Sequence, residues 1–311
     1  MTPFPELSFP FAAPLTSLHL FTTTKKIDVS NLSSSLAVLN FTEIPIDMCF
    51  KALILCQNLE EFSCCEPSKP EGIHSPSLSE PVILSRLKFL EWTFLPGPFL
   101  PWNRDFLTYV HVPALDTFWW AEDLDSDQHP HHDFAPGFLN RLPVELKALR
   151  FTEISHSSAL HCNLIDHIRG ESWIESIYLW ECSESFLVAV LRRLRRGEGG
   201  YPVFPTLVFL RVVRVMTEEN DDSTSLNRHI GVLLAEVLER RRLAVPIELF
   251  TFCVNCVPRL DFGPDTATRF QRLIDGGFVL RILHDPFDPE ADDSDDSDLG
   301  GSEELDDMGG P

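Results

Sequence analysis

Three groups of side chains in this sequence have types and spacings that lend themselves to chemistry. Cys253 and Cys256 form a CxxC pair, Cys64 and Cys65 are adjacent, and His129, His131, His132 and Asp133 crowd into five residues just behind Asp123, Asp125 and Asp127. A CxxC pair needs two more ligands to close a tetrahedral zinc site, or a strand–helix setting to act as a redox couple. Neither is visible around Cys253, so these thiols and Cys64 read as small apolar core residues. Imidazoles beside carboxylates suit zinc or nickel, but Pro130 and the acidic surroundings point to a loop without a rigid scaffold. The expectation is no metal and no cofactor. The 129–133 loop is the basis of one alternative, a metal-dependent enzyme. No Gly-x-Ser-x-Gly elbow, Lys-Ser/Thr phosphate loop or His-Glu-x-x-His stands in the sequence, so the chain is expected not to be an enzyme.

Charge narrows the partners. Of 311 residues, 25 are Lys or Arg and 47 Asp or Glu, a net charge of -22. A chain this acidic is poorly suited to neutralising phosphates, so nucleic acid is not expected as a partner. The basic run at Arg192, Arg193, Arg195 and Arg196 ends a predicted helix, where it complements the helix dipole. Twelve acids and no Lys or Arg lie between Ile282 and Pro311; segment 285–311 is expected to be a disordered acidic tail. The prolines near Met1 break any signal-like helix, and no apolar run reaches spanning length. The expected setting is therefore cytoplasmic or nuclear, with no membrane contact and the eight cysteines reduced.

The elements that position these residues are set by a recurring phrase, Leu-x-x-Leu-x-Leu. It starts at Leu15, Leu36, Leu59, Leu87, Leu115, Leu146, Ile174, Leu207 and Ile247, with starts 21 to 40 residues apart. The copies beginning at Leu36 and Leu146 share six of nine residues, up to Ile44 and Ile154. Such a phrase is the strand of a leucine-rich repeat: positions four and six face inward, position five faces outward, and neighbouring copies must stack to bury the apolar edge. The ninth position, often Cys or Asn, is Cys182 in one copy and Asn255 in another. The fold expected is α/β: a leucine-rich-repeat solenoid over 12–284 with a curved parallel sheet and irregular repeats, after an N-terminal extension 1–11. Helices are expected at 47–57, 159–168, 183–196, 225–242 and 265–274, and loops at 66–82, 121–136 and 218–223.

The outward fifth positions are His19, Asn40, Ser63, Glu91, Trp119, Arg150, Tyr178, Arg211 and Thr251. Trp119, Arg150, Tyr178 and Arg211 are consecutive in that column, with Trp180 and Phe209 on the same strands. These six are the candidate partner-binding residues, because Trp, Tyr and Arg concentrate binding energy at interfaces. Glu43, Glu66, Glu122, Glu153 and Glu181 fall at eighth positions, where they would rim the patch or pair with its arginines.

The Leu-x-x-Leu phrases, with the entry Val112-Pro-Ala-Leu-Asp-Thr-Phe118, resemble the leucine-rich-repeat region of F-box-like proteins of mushroom-forming fungi over roughly residues 12–284. The resemblance implies a protein-interaction module that recognises an unknown protein ligand on the concave sheet. In that family an F-box ahead of the repeats docks on a ubiquitin-ligase adaptor. No F-box is recognisable here: the segment from Leu142 to Glu145 has the right opening, but Leu146 already begins a repeat. An adaptor is therefore a partner only if an F-box is supplied elsewhere, and a truncated gene product with no recruiting function is a further alternative.

Overall fold

All nine phrases form strands of one sheet. The computed structural model describes residues 15–21, 32, 35–72, 78–122, 130–155, 164–196, 201–216, 223–244, 249–255 and 262–284. The strands are β1 (Ser17–Phe21), β2 (Val38–Thr42), β3 (Glu61–Cys65), β5 (Phe89–Phe94), β7 (Thr117–Glu122), β8 (Ala148–Thr152), β9 (Ser176–Ser183), β10 (Phe209–Met216) and β11 (Leu249–Asn255). A tenth, β12 (Val279–His284), closes the described sheet. Every pairing is parallel, and spatial order follows chain order, interrupted only by a short side sheet of β4 (Val82–Ile83) and β6 (Val110–His111).

The inward alternation explains the sheet. Fourth positions from Leu39 to Phe250 and sixth positions from Phe41 to Phe252 are buried in one continuous core. First positions from Leu36 to Leu207 join them, whereas Leu15, on the edge copy, is 37% exposed. The core is strongly aromatic: Trp92 stacks on Phe106 at 4.3 Å and Phe94 on Trp120 at 3.9 Å. Asn103 satisfies the Trp92 indole N–H, accepting from it at 3.0 Å and donating to the Leu95 carbonyl at 2.8 Å.

A backbone device recurs at the strand entries up to β10. The N–H groups of Glu60 and Glu61 both donate to the Ala37 carbonyl; those of Lys88 and Phe89 share the Glu60 carbonyl, and those of Asp116 and Thr117 share the Lys88 carbonyl. The same sharing continues at Asp116, Lys147 and Glu175. One acceptor per copy thus ties each of these strands to its predecessor, and the register it sets keeps the fifth positions from β1 to β10 in line.

Helices α1 (Ile46–Leu55), α2 (Leu100–Tyr109), α3 (Ala135–Leu139), α4 (Glu184–Arg195), α5 (Ser223–Ala244) and α6 (Gly263–Asp275) add their buried faces to the same core. The Ser183 hydroxyl accepts from the Phe186 N–H, capping α4 as its sequence implies. Four of the expected helices correspond to α1, α4, α5 and α6. The expected helix 159–168 is instead a 3-10 turn at Leu164–His167 in its described part. Helices α2 and α3 were not anticipated, nor was the 3-10 turn Pro130–Asp133; that turn and the start of α3 fall inside the expected loop 121–136. The tail 285–311, the extension 1–11, His129, Cys256 and the three aspartates before His129 lie outside the described residues.

Candidate functional site

The register places the candidate column as expected along most of its length. His19, Asn40, Ser63, Glu91, Trp119, Arg150, Tyr178 and Arg211 are successive partners across the sheet. The last step differs. Arg211 lies opposite Cys253, and Thr251 pairs with Phe209, two residues out of the phrase alignment. A shift of two preserves the faces, so Phe250 and Phe252 stay buried while Thr251 leaves the column.

Within the column the side chains pack on one another. The Arg150 guanidinium lies 5.3 Å from the Trp119 ring centroid and 4.9 Å from that of Tyr178. Tyr178 in turn meets Phe209 at 5.4 Å, and the Trp119 indole donates to the Thr152 hydroxyl at 2.7 Å. Trp119, Arg150, Tyr178, Phe209 and Arg211 are all half-buried, and only Trp180, 47% exposed, stands clear. Arg150 between two rings is a cation–π sandwich, worth about 0.5–2 kcal/mol per contact depending on desolvation. The arginine is therefore held before any partner arrives. The patch is a packed, amphipathic surface of aromatic rings and arginine.

The acidic row divides into two kinds. Glu43, Glu66, Glu153 and Glu181 adopt left-handed φ of 56°, 43°, 58° and 49°, as the chain turns off the strand end. Arg214, at the corresponding position of β10, does the same with φ 53°. A non-glycine residue there carries roughly 1–2 kcal/mol of strain. Glu181 pairs with Arg214 at 2.9 Å and not with Arg150 or Arg211 as the row implied. Glu122 is the exception: it is fully buried, accepting from the Trp120 indole at 2.8 Å and contacting His132 Nε2 at 2.7 Å. It does not rim the patch, and His132, expected in a flexible loop, is a buried residue that anchors the turn Pro130–Asp133.

One feature of this face was not read from the sequence. Beside Trp119, toward the N-terminal strands, an open cleft of about 500 Å³ sits over the C-terminal ends of β3, β5, β7 and β8. It exists because Cys65, Thr93, Ala121 and Thr152, two residues beyond the column, are small and leave room next to Trp119. Glu66, Glu91, Glu153 and the buried Glu122 line it, and no basic residue does. Glu91 is only 7% exposed and accepts a short hydrogen bond from the buried Ser63 hydroxyl. Burial, reinforced by the Glu91 charge, pushes the Cys65 thiol up to about 12, so it is a neutral thiol at physiological pH. Cys182, at the ninth position of its copy, donates to the Phe151 carbonyl at 3.4 Å and is likewise held at about 12, chiefly by burial.

Among the described residues, no three His, Cys, Asp or Glu side chains are grouped to hold a metal ion, and no helix is long and apolar enough to cross a membrane. No protein-family model matches the chain, and no curated protein matches it either.

Proposed function

We propose that this chain is a leucine-rich-repeat solenoid acting as a protein-interaction module, and that it binds its partner across the outward sheet face. The observation that carries the reading is the column itself. Trp119, Arg150, Tyr178 and Arg211 stand on four successive parallel strands, packed against each other and half open to solvent. A sheet face needs none of this for solubility. Pre-packed aromatic and arginine side chains lose little conformational entropy on binding, which is what a hot spot requires. The sequential parallel order and the shared carbonyl at the strand entries up to β10 support the repeat reading, and so does the resemblance to the repeat region of fungal F-box-like proteins. On that reading the ligand is a protein, and recruitment to a ubiquitin ligase would need an F-box from elsewhere.

The test is affinity capture followed by measured dissociation constants for the captured protein. Tyr178→Ala and Trp119→Ala should each weaken binding by about 2 kcal/mol, near thirtyfold, while both variants keep the wild-type fold by circular dichroism. Folded variants that retain every partner at wild-type affinity would place recognition elsewhere and refute the reading.

A further inference from the structure

We propose that the cleft beside Trp119 receives an arginine side chain from an extended segment of the protein partner. The inference rests on the reading of this face as the recognition surface and adds what that surface selects. Three observations converge. First, the lining is sorted as an arginine needs: Trp119, Ala121 and Leu95 offer apolar wall for the side-chain stem, and Glu66, Glu91 and Glu153 offer carboxylates for the head. Second, Glu91 is a nine-tenths-buried carboxylate that forms no ion pair among the described residues; its neighbours are the Ser63 hydroxyl and the Cys65 thiol, both neutral donors. A buried carboxylate held only by neutral donors gains from a cation that enters the cleft. Third, the volume of about 500 Å³ lies in the range of sites that enclose a ligand group, roughly 300–1,000 Å³.

Arginine fits better than lysine. Its planar fork can address two carboxylates at once and stack on an aromatic ring, whereas an ammonium is a compact, strongly hydrated charge. Arg150 already rests over the Trp119 indole, so guanidinium–indole packing is in use on this same ring.

The probe is acetyl-Gly-Arg-Gly-amide, titrated into the full chain and followed by the indole N–H resonance of Trp119. The expected result is saturable binding in the millimolar range, with the citrulline peptide at least about tenfold weaker because it keeps the shape and loses the charge. Glu91→Gln preserves the side-chain shape and an acceptor for Ser63, and should weaken the arginine peptide about tenfold. Glu66→Gln, at an exposed rim position, should weaken it several-fold and guards against a folding defect in the first variant. Equal binding of both peptides, no saturation at about 10 mM, or wild-type affinity in both variants would overturn the proposal. So would calcium or magnesium alone occupying the cleft more tightly than the peptide, which would make it a metal site. Failure here with capture still lost in Tyr178→Ala would sink the arginine proposal alone. Peptide binding with capture unaffected by the column variants would sink the column reading alone.

Discussion

Arg241 is the residue whose replacement tests most directly how β10, which carries Arg211, is held. It lies on α5, is 1% exposed, and reaches across to the turn before β10. Its guanidinium donates to the carbonyls of Val203 at 2.9 Å, Phe204 at 2.7 Å and Leu207 at 3.0 Å. Phe204 is left-handed, φ 51°, and its carbonyl also accepts from the Leu207 N–H at 3.0 Å across the turn. Burial lowers the Arg241 pKa to about 10, which leaves it charged at neutral pH. Three charge-assisted bonds at about 1.5–3 kcal/mol each give a gross value of roughly 5–9 kcal/mol. Against that stands the cost of desolvating the cation, several kcal/mol. Arg241→Met fills the space, removes the desolvation cost and takes the guanidinium from the Val203 and Leu207 carbonyls, while the Phe204 carbonyl keeps its bond from the Leu207 N–H; the expected net loss is about 2–3 kcal/mol. Arg241→Lys keeps the charge but lacks the fork, and should recover only part of it. Urea denaturation of the three proteins, with hydrogen exchange read at the β10 amides, makes the measurement. The exchange data should show local opening around Phe209 and Arg211 before global unfolding. A Met variant within about 0.5 kcal/mol of wild type, with β10 protection unchanged, would refute the reasoning, because the carbonyls would then have other partners.

Two further outcomes follow from buried and bridging charges. His132→Ala leaves the buried Glu122 carboxylate without its imidazole, and should cost about 3 kcal/mol in urea unfolding; Glu122→Gln, whose amide oxygen still accepts from the Trp120 indole, should cost less, and the opposite order would contradict the pairing. Glu239, on α5, is held below its ordinary 4.5 by the hydrogen bond from Arg269 on α6. A depressed carboxylate contributes stability that is present above the unfolded value and lost as pH falls through the folded one. The wild-type chain should therefore lose stability below about pH 4.5 more steeply than Arg269→Ala, and coincident acid limbs would show that the bridge contributes nothing.

The strands were legible because their alternation is local: in Leu36, Leu39 and Phe41, and in each later copy, the inward residues can be read from spacing alone. What was missed depends on relations between copies. The two-residue shift of β11 leaves every face unchanged, so nothing in the sequence of β11 signals it. Helix α2 was hidden by Pro96, Pro98 and Pro101, yet Pro101 stands in the first turn, where its missing N–H costs nothing. The column was found by reading one position down the repeats. The cleft required reading the next rung as well, where Cys65, Thr93, Ala121 and Thr152 look unremarkable one at a time. Glu122 shares its repeat position with Glu153 but not its fate, because only Glu122 has His132 and the Trp120 indole within reach.

The sequential order of the sheet has a mechanical meaning. Up to β10 each strand of the main sheet is tied to its predecessor through one shared carbonyl, and spatial order in that sheet follows chain order. A load applied along the chain therefore meets no long-range clamp that must fail all at once. It peels a single edge strand with its helix or loop, and the next copy becomes the edge. Extension should proceed in a series of small rips, each releasing about 30 residues or roughly 100 Å of contour, instead of one large event. A partner lying across β7 to β10 would staple four copies together and convert those small rips into one. Bound and free protein would then differ more in how they yield to force than in their resting shape.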